Sequence, residues 1–290
     1  KITMKKLSLF LILFSVLYTA QNQRFIYEYH FVRDTLNKSD VSKELMYLDI
    51  SKDGSKFYSR DVFVRDSMRI AKYEKEIAAT GSMNFTGIAT PRKNALVSYK
   101  VFKTYPAYEI SLETRNGSDS YKVSDERKID WKILPEKMKI GEFEAQQAIS
   151  YFAGRKWMAW FSTELPFQDG PYKFHGLPGL IIKLEDESKT HQYELKAVTK
   201  YVPTQPKKSE LDDENPIEIT QVKYKKLFWE LRDDPAKAFK EMMSKGSIGN
   251  MQDGNGSAVS AAAMIKRIEN NTKKNQAKNN NLIELDLLIR

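Results

Sequence analysis

Six side chains in one short stretch have the types expected of a small-molecule binding site. They lie between residues 154 and 185, and eight of the 24 residues from 151 to 174 are aromatic, against 12% in the whole chain. Binding pockets are mostly apolar, with a few polar groups that orient the ligand. We therefore predict a pocket with aromatic walls and basic contacts, formed by Arg155, Trp157, Trp160, Lys173, Phe174 and His175.

The same stretch also fits a purely structural role. Its aromatic side chains would then pack in the core, and the arginine would stack on a ring or pair with a carboxylate. Lys173 and His175 would be solvated. This is the simpler explanation, because a sharp turn beside packed aromatic residues requires the glycines and prolines found here.

Carboxylate clusters raise the possibility of a hydrolase. Acidic residues gather at Glu142 and Glu144, at 185–187 and at 210–214. Glycosidases hold two carboxyls about 5 to 9.5 Å apart, a distance that sequence does not show. Acidic turns also keep proteins soluble, so exposed loops are the simpler explanation, and we assign no catalytic residue.

The sequence predicts no metal site and no cofactor. Its three histidines, His30, His175 and His191, are widely separated, and the paired histidines of a metalloprotease helix are absent. They could converge in space, but solvated positions explain them more simply. The chain has no cysteine, which excludes disulfides, thiol catalysis and thiolate metal ligation. A nucleophilic-serine elbow is also absent.

A longer motif surrounds the six candidates. It runs from a Gly-Arg pair through a proline and a Gly-Pro pair to the hexapeptide GLPGLI, and comprises Gly154, Arg155, Pro166, Gly170, Pro171, Gly176, Leu177, Pro178, Gly179, Leu180 and Ile181. These residues resemble the GLPGLI family of exported Bacteroidetes proteins. The resemblance implies an exported protein of largely uncharacterised function, without an established catalytic residue. Members often carry a cysteine shortly before the Gly-Arg pair, whereas this chain has Ala145 there, so a cysteine-dependent role is excluded.

The first residues have the pattern of a secretory signal. Lys5 and Lys6 precede an apolar run at residues 7–18, which is shorter than the roughly 20 residues needed to span a bilayer. We expect a signal peptide at 1–20 and one domain at 21–290. Because no cysteine is available for lipid attachment, the expected product is a soluble periplasmic or outer-membrane-associated protein and not a lipoprotein.

Charge and composition restrict the partners. The formal net charge is +9, with 47 basic and 38 acidic residues interspersed along the chain. This argues against a nucleic-acid surface and is compatible with peripheral attraction to an outer membrane. The favoured hypothesis is a non-catalytic envelope protein that binds a small apolar ligand, a peptide or an unknown envelope protein, as an accessory to outer-membrane transport. The alternative is a secreted hydrolase with a carboxylate pair.

Alternating apolar and polar residues predict an antiparallel sheet. Residues 25–32 form the clearest strand, and Asp61 is predicted to cap a helix at 62–79. Further strands are predicted at 46–50, 56–60, 96–104, 107–115, 119–123, 131–135, 143–152, 157–162, 180–185 and 193–197.

The last third of the chain has a different pattern. We predict a surface loop at 203–216 and helices at 222–231, at 236–243 with Asp234 as N-cap, and from Ser257 to about residue 269. A polar hinge at 270–281 and a last strand at 282–289 would follow. The whole predicts an α+β fold, with a large curved antiparallel sheet resembling an open half-barrel, an early helix and C-terminal helices.

Overall fold

The computed structural model describes residues 22–81, 95–116, 119–201, 215–246 and 259–290. The predicted signal peptide and most of the predicted surface loop at 203–216 lie outside these residues. Within them, no helix is long and apolar enough to cross a membrane.

Twelve strands within the described residues form one open sheet. They are β1 (Gln23–Val32), β2 (Val41–Ile50), β3 (Gly54–Ser59), β4 (Lys100–Thr104), β5 (Ile110–Asn116), β6 (Asp119–Asp125), β7 (Lys132–Ile140), β8 (Phe143–Phe152), β9 (Arg155–Ser162), β10 (Leu180–Asp186), β11 (His191–Lys200) and β12 (Ile217–Thr220). Their order is β12-β6-β5-β4-β3-β2-β1-β11-β10-β9-β8-β7. Neighbours are antiparallel except β12, which runs parallel to β6. The predicted class is confirmed, with a mixed sheet in place of a purely antiparallel one.

The helices are α1 (Arg60–Thr80), α2 (Gln221–Asp233), α3 (Lys237–Ser244) and α4 (Ala261–Lys278). The early helix was predicted with the wrong cap: Ser59, not Asp61, accepts a hydrogen bond from the Val62 amide at 3.2 Å. A serine in extended conformation immediately before the first turn satisfies this otherwise unpaired donor. Helix α1 ends at Gly81, which adopts a left-handed conformation with φ of 69°.

The core lies on the inner face of the sheet. The predicted alternation of β1 is confirmed, because Phe25, Tyr27, Tyr29 and Phe31 are all buried. Strand β10 was predicted to be half-buried, but nearly all of its residues are buried. The simple alternation does not hold along this strand, because its register with β9 shifts between Ile181 and Lys183.

The sheet curves around the loop that joins β9 to β10, which we call the central loop (residues 163–179). Phe174 in this loop packs on Trp157 of β9, with ring centroids 4.8 Å apart, and its carbonyl oxygen accepts a hydrogen bond from Lys103 of β4. Strands β9 and β4 are six positions apart in the sheet. In a flat sheet that separation would be roughly 29 Å, too far for one residue to contact both strands.

The two tryptophans of β9 lie on opposite faces. Trp157 is fully buried and its indole nitrogen donates to the Phe152 carbonyl at 3.1 Å. Trp160 is only partly buried on the outer face, so the expectation that both faces of this strand are covered is only half correct.

Predicted element ends differ from the observed ones at one proline and at one helix cap. Strand β7 continues through Pro135 to Ile140, although the proline was expected to end it. A proline is tolerated here because β7 is the edge strand and its register with β8 shifts between Ile133 and Lys137. Asp234 does not cap α3, which begins after Ala236 without a side-chain cap.

The C-terminal prediction was wrong for the hinge and for the last strand. Helix α4 is capped by Ser260 and continues through most of the predicted hinge at 270–281, while the predicted cap, Ser257, lies outside the described residues. The predicted last strand at 282–289 is an irregular segment with a short 3₁₀ turn at Leu285–Leu288. This segment does not join the ladder of the sheet; side-chain contacts and one backbone hydrogen bond, from the Asp286 amide to the Ala153 carbonyl at 3.3 Å, hold it in place.

Replacing the buried tryptophan should destabilise the fold far more than replacing the outer one. We expect Trp157→Ala to lower the free energy of unfolding by about 3 to 5 kcal/mol, because it leaves a cavity and removes the hydrogen bond to the Phe152 carbonyl. Trp160→Ala should cost less than half of that. Urea denaturation of both variants checks this, and equal losses would contradict the burial difference.

Candidate ligand-binding site

Arg155 fastens the end of the chain to the sheet. Its guanidinium donates to the Asp186 carboxylate at 2.9 Å, to the Asn281 side-chain oxygen at 2.6 Å and to the Leu282 carbonyl at 2.6 Å. The side chain is buried. It therefore pairs with a carboxylate, as the structural explanation expected, and also holds residues 279–288, which we call the C-terminal strap.

Lys173 provides a second attachment for the C-terminal strap. Its ammonium group is fully buried and lies 2.7 Å from the Asp125 carboxylate and 2.5 Å from that of Glu284. Arg127 contacts the same two carboxylates at 2.6 and 3.0 Å. The expectation of a solvated lysine was wrong, because both of its carboxylate partners are distant in sequence.

The two carboxylates of this ion cluster are strongly held in their charged form. Burial alone would raise the pKa of Asp125 and of Glu284, but Arg127 and Lys173 outweigh burial and lower both values. Glu284 also accepts hydrogen bonds from the Tyr172 hydroxyl at 2.6 Å and the Gln221 amide at 2.9 Å. Its oxygens are therefore fully occupied.

A third buried cation, Lys103, holds the central loop and was not singled out from the sequence. Its ammonium group pairs with Asp169 and donates to the carbonyl oxygens of Gly170 at 2.8 Å and Tyr172 at 3.0 Å. The strand alternation could have indicated its burial, because Lys103 occupies an inward position of β4, two residues after the buried Val101.

The motif glycines allow close backbone approaches. Gly154 has φ of 79°, and a Cβ atom there would lie 3.0 Å from the backbone nitrogen of Asp286 in the C-terminal strap. At Gly179 a Cβ atom would lie 2.2 Å from the carbonyl oxygen of Ser162. The Gly-Arg pair thus seats the strap, and the hexapeptide permits the tight return from the central loop into β10.

A cavity of about 280 Å3, the inner pocket, lies between the inner face of the sheet and the C-terminal strap. Its walls are aromatic and come from β1, from the segment before β4, from the central loop and from α2, namely Tyr29, Phe31, Tyr99, Tyr172, Tyr224 and Phe228. The Tyr29 and Phe31 rings are stacked with centroids 4.5 Å apart. This arrangement offers a flat apolar lining with hydroxyl groups at the ring ends.

His191 gives the inner pocket a neutral polar group. Its Nδ1 atom is hydrogen bonded to the Tyr29 hydroxyl at 2.6 Å, and the ring is buried. Burial, followed by the nearby charge of Arg155, lowers the pKa of His191 to about 3, so the imidazole is uncharged at neutral pH. Its Nε2 atom makes no hydrogen bond to any part of the chain that the structure describes.

A second, larger concavity of about 870 Å3, the outer groove, lies beside β5, β6 and β12. His175 lines it and stacks on Tyr108, with ring centroids 4.9 Å apart. The His175 Nδ1 atom is 2.9 Å from the Lys173 carbonyl and must carry the hydrogen, since a carbonyl only accepts. Asp125 lines the outer groove and Glu284 lines the inner pocket. The ion cluster of Lys173 with these two carboxylates therefore lies between the two cavities.

The six predicted binding residues do not converge on one cavity. Only His175 lines either of the two cavities, whereas Trp157 and Phe174 belong to the core and Trp160 to the outer face. Arg155 and Lys173 do not line the inner pocket, but they hold in place the segments that do. Tyrosines outside the motif, such as Tyr29 and Tyr99, provide the walls that sequence reasoning missed.

No group of three or more acidic or histidine side chains able to hold a metal occurs in the described ranges.

Comparison with known proteins assigns no activity. Residues 97–183 match a family model described as "Protein of unknown function (Porph_ging)". The match covers less than half of the chain but includes the whole motif, which is consistent with a GLPGLI-type family but does not fix the exact family. No curated protein matches the chain.

Two solved structures of PNGF-II are similar to the chain. The one in space group P21 has a TM-score of 0.46 at 17% identity, and the one in space group C2 has a TM-score of 0.48 at 16% identity. Each match covers 73% of this chain but 34% of the PNGF-II chain, so this chain spans about a third of that protein's length. Likeness at this level carries no inference about function.

Removing the buried ammonium group should destabilise the protein strongly. We expect Lys173→Met to lower the free energy of unfolding by about 3 to 5 kcal/mol, because two buried carboxylates lose a partner. The matched control is Lys156→Met, which breaks an exposed pair with Glu187 and should cost at most about 1 kcal/mol. Chemical denaturation measures both, and equal effects would contradict the assigned role of Lys173.

His191 should make stability fall as the solution is acidified. The folded-state pKa of about 3 lies below the value of about 6.5 expected in the unfolded chain, so protons bind preferentially to the unfolded state. The contribution is complete above pH 6.5 and is lost as pH falls towards 3. Between pH 7 and 5 it amounts to about 2 kcal/mol.

Urea denaturation at pH 7 and pH 5 tests this linkage. The difference between the two unfolding free energies should be smaller by about 2 kcal/mol in His191→Gln than in the parent protein. The same pH dependence in both proteins would show that His191 is not the responsible group.

Proposed function

We propose that the protein is an exported, non-catalytic binding protein that holds one compact, largely apolar ligand in the inner pocket. The observation that carries this proposal is the aromatic lining of that pocket together with the wall that the C-terminal strap adds to it. A ligand there would contact tyrosine and phenylalanine rings on several sides. Such a lining favours a flat apolar body over a strongly hydrated one.

The size of the inner pocket indicates the size of the ligand. Its volume is about 280 Å3. An apolar cavity of about 150 Å3 is sufficient to bind benzene. The inner pocket therefore fits a ligand of one ring with a short side chain, or two small rings, but not a complete phospholipid.

The inner pocket is held in shape by groups that do not themselves line it. Arg155 and Lys173 fix the C-terminal strap, which provides one wall, and Lys103 fixes the central loop, which provides Tyr172. A preorganised site loses less conformational entropy when the ligand binds. This supports a role in binding.

The hydrolase alternative has less support. Asp125 and Glu284 are close together beside Lys173, but each is held by cations and has a lowered pKa, whereas a general acid needs a raised one. Burial raises the pKa of Glu44, but hydrogen bonds from the Leu96 and Val97 amides occupy that carboxylate. Glu44 therefore holds the segment before β4 and is not a free general acid.

The cellular setting is part of the proposal. The charged and apolar pattern of residues 4–18 supports export, and the basic composition supports contact with an anionic envelope surface. In that setting the protein would bind or present a small apolar molecule, alone or with an envelope protein partner, as an accessory to transport at the outer membrane.

Native mass spectrometry of the protein purified from its source cells tests this function. We expect one small molecule per chain, released on denaturation. Thr114→Trp, which places a large ring in the inner pocket, should abolish this occupancy, whereas Thr199→Trp on the exposed end of β11 should not. An empty folded protein that also fails to bind apolar fluorescent probes would overturn the proposal.

A further inference from the structure

We infer that the ligand of the inner pocket is a compact aromatic carboxylic acid whose carboxylate pairs with Arg33 at the pocket mouth. This inference rests on the proposed function and adds the chemical class of the ligand. It is carried by the position of Arg33 and by the way in which the other charges of the pocket are neutralised.

Arg33 stands where the inner pocket meets solvent. It directly follows β1, it is exposed, and it lines the pocket together with Asn279 and Asn281. Its backbone carbonyl accepts a hydrogen bond from the Asn281 amide at 3.1 Å, which fixes its position beside the C-terminal strap. The Asn281 side chain adds a bond to the Val32 carbonyl at 2.7 Å.

The guanidinium of Arg33 makes no ion pair or hydrogen bond with the residues that the structure describes. The adjacent carboxylate, Asp34, is already occupied: it accepts hydrogen bonds from the Leu36 amide at 3.0 Å and the Asn280 side-chain amide at 2.9 Å. Both hydrogen bonds lower the pKa of Asp34, and the bond from the Leu36 amide has the larger effect. Asp34 therefore stabilises the turn after β1 and is not available to pair with Arg33.

Glu284 is the acidic residue that lines the inner pocket, and its charge is compensated. Lys173 and Arg127 contact its carboxylate, and Tyr172 donates a hydrogen bond to it. His191 is neutral. The positive charge of Arg33 is consequently the one formal charge in the described pocket lining that no contact within the chain neutralises.

This distribution of charge selects the ligand. Aromatic walls favour an aromatic ring, and one cation at the rim favours a single negative charge at one end of that ring. A planar carboxylate matches the fork of donors on a guanidinium. A dianionic phosphate would need more than one cation, and an amine would be repelled.

A matched series of three ligands tests the inference. Isothermal titration calorimetry with the full chain would compare phenylpropanoate, phenylpropanol and phenylpropylamine, which differ only in the end group. We expect the acid to bind most tightly and the amine most weakly. Because Arg33 is exposed to solvent, the advantage of the acid over the alcohol should be modest, about fivefold at low salt, and should shrink as salt is added.

Substitutions separate the contribution of Arg33 from a general charge effect. Arg33→Ala should weaken binding of the acid by about fivefold and leave the alcohol unchanged, and Arg33→Lys should restore part of the loss. Lys43→Ala removes the same charge from an exposed position of β2 outside the pocket and should change neither ligand.

The possible results distinguish the two proposals. If the alcohol binds as tightly as the acid, or if Arg33→Ala affects both equally, the carboxylate inference is overturned while the binding function stands. If the amine binds most tightly of the three, the carboxylate inference is likewise overturned while the binding function stands. If none of the three ligands binds and apolar probes also fail, both proposals are overturned.

Discussion

The structure depends on the burial of an ammonium group between two carboxylates. Lys173 joins Asp125 at the end of β6 to Glu284 in the C-terminal strap, and it does so from the middle of the central loop. Burying these charges is costly unless every one of them is paired. The three segments are therefore obliged to meet in one arrangement, and that arrangement creates the inner pocket on one side and the outer groove on the other.

Buried cations recur wherever an irregular segment must be held against the sheet. Arg155 holds the C-terminal strap and Lys103 holds the central loop, in each case largely through backbone carbonyl oxygens. Irregular segments leave carbonyl groups without ladder partners, and a long basic side chain from a neighbouring strand can satisfy several of them at once. The chain uses this device in place of disulfides, which it cannot form.

Much of the sheet could be predicted from sequence because alternation is a local signal. Residues such as Phe25 and Tyr27 reveal their buried face through their immediate neighbours. The role of Lys173 could not be predicted in this way, since Glu284 lies 111 positions further along the chain. The strap was mistaken for a strand for the same reason: its apolar residues are at least partly buried, but its backbone bonds to distant side chains and to isolated carbonyl groups instead of to one neighbouring strand.

The separation of Lys173 and Glu284 by 111 positions has a consequence for the order in which the molecule is completed. During synthesis Lys173 and Arg127 emerge well before Glu284. Until Glu284 is added, Asp125 faces both of these cations, and the wall between pocket and groove carries an excess of positive charge. A nascent chain that stops short of Glu284 therefore lacks the completed inner pocket.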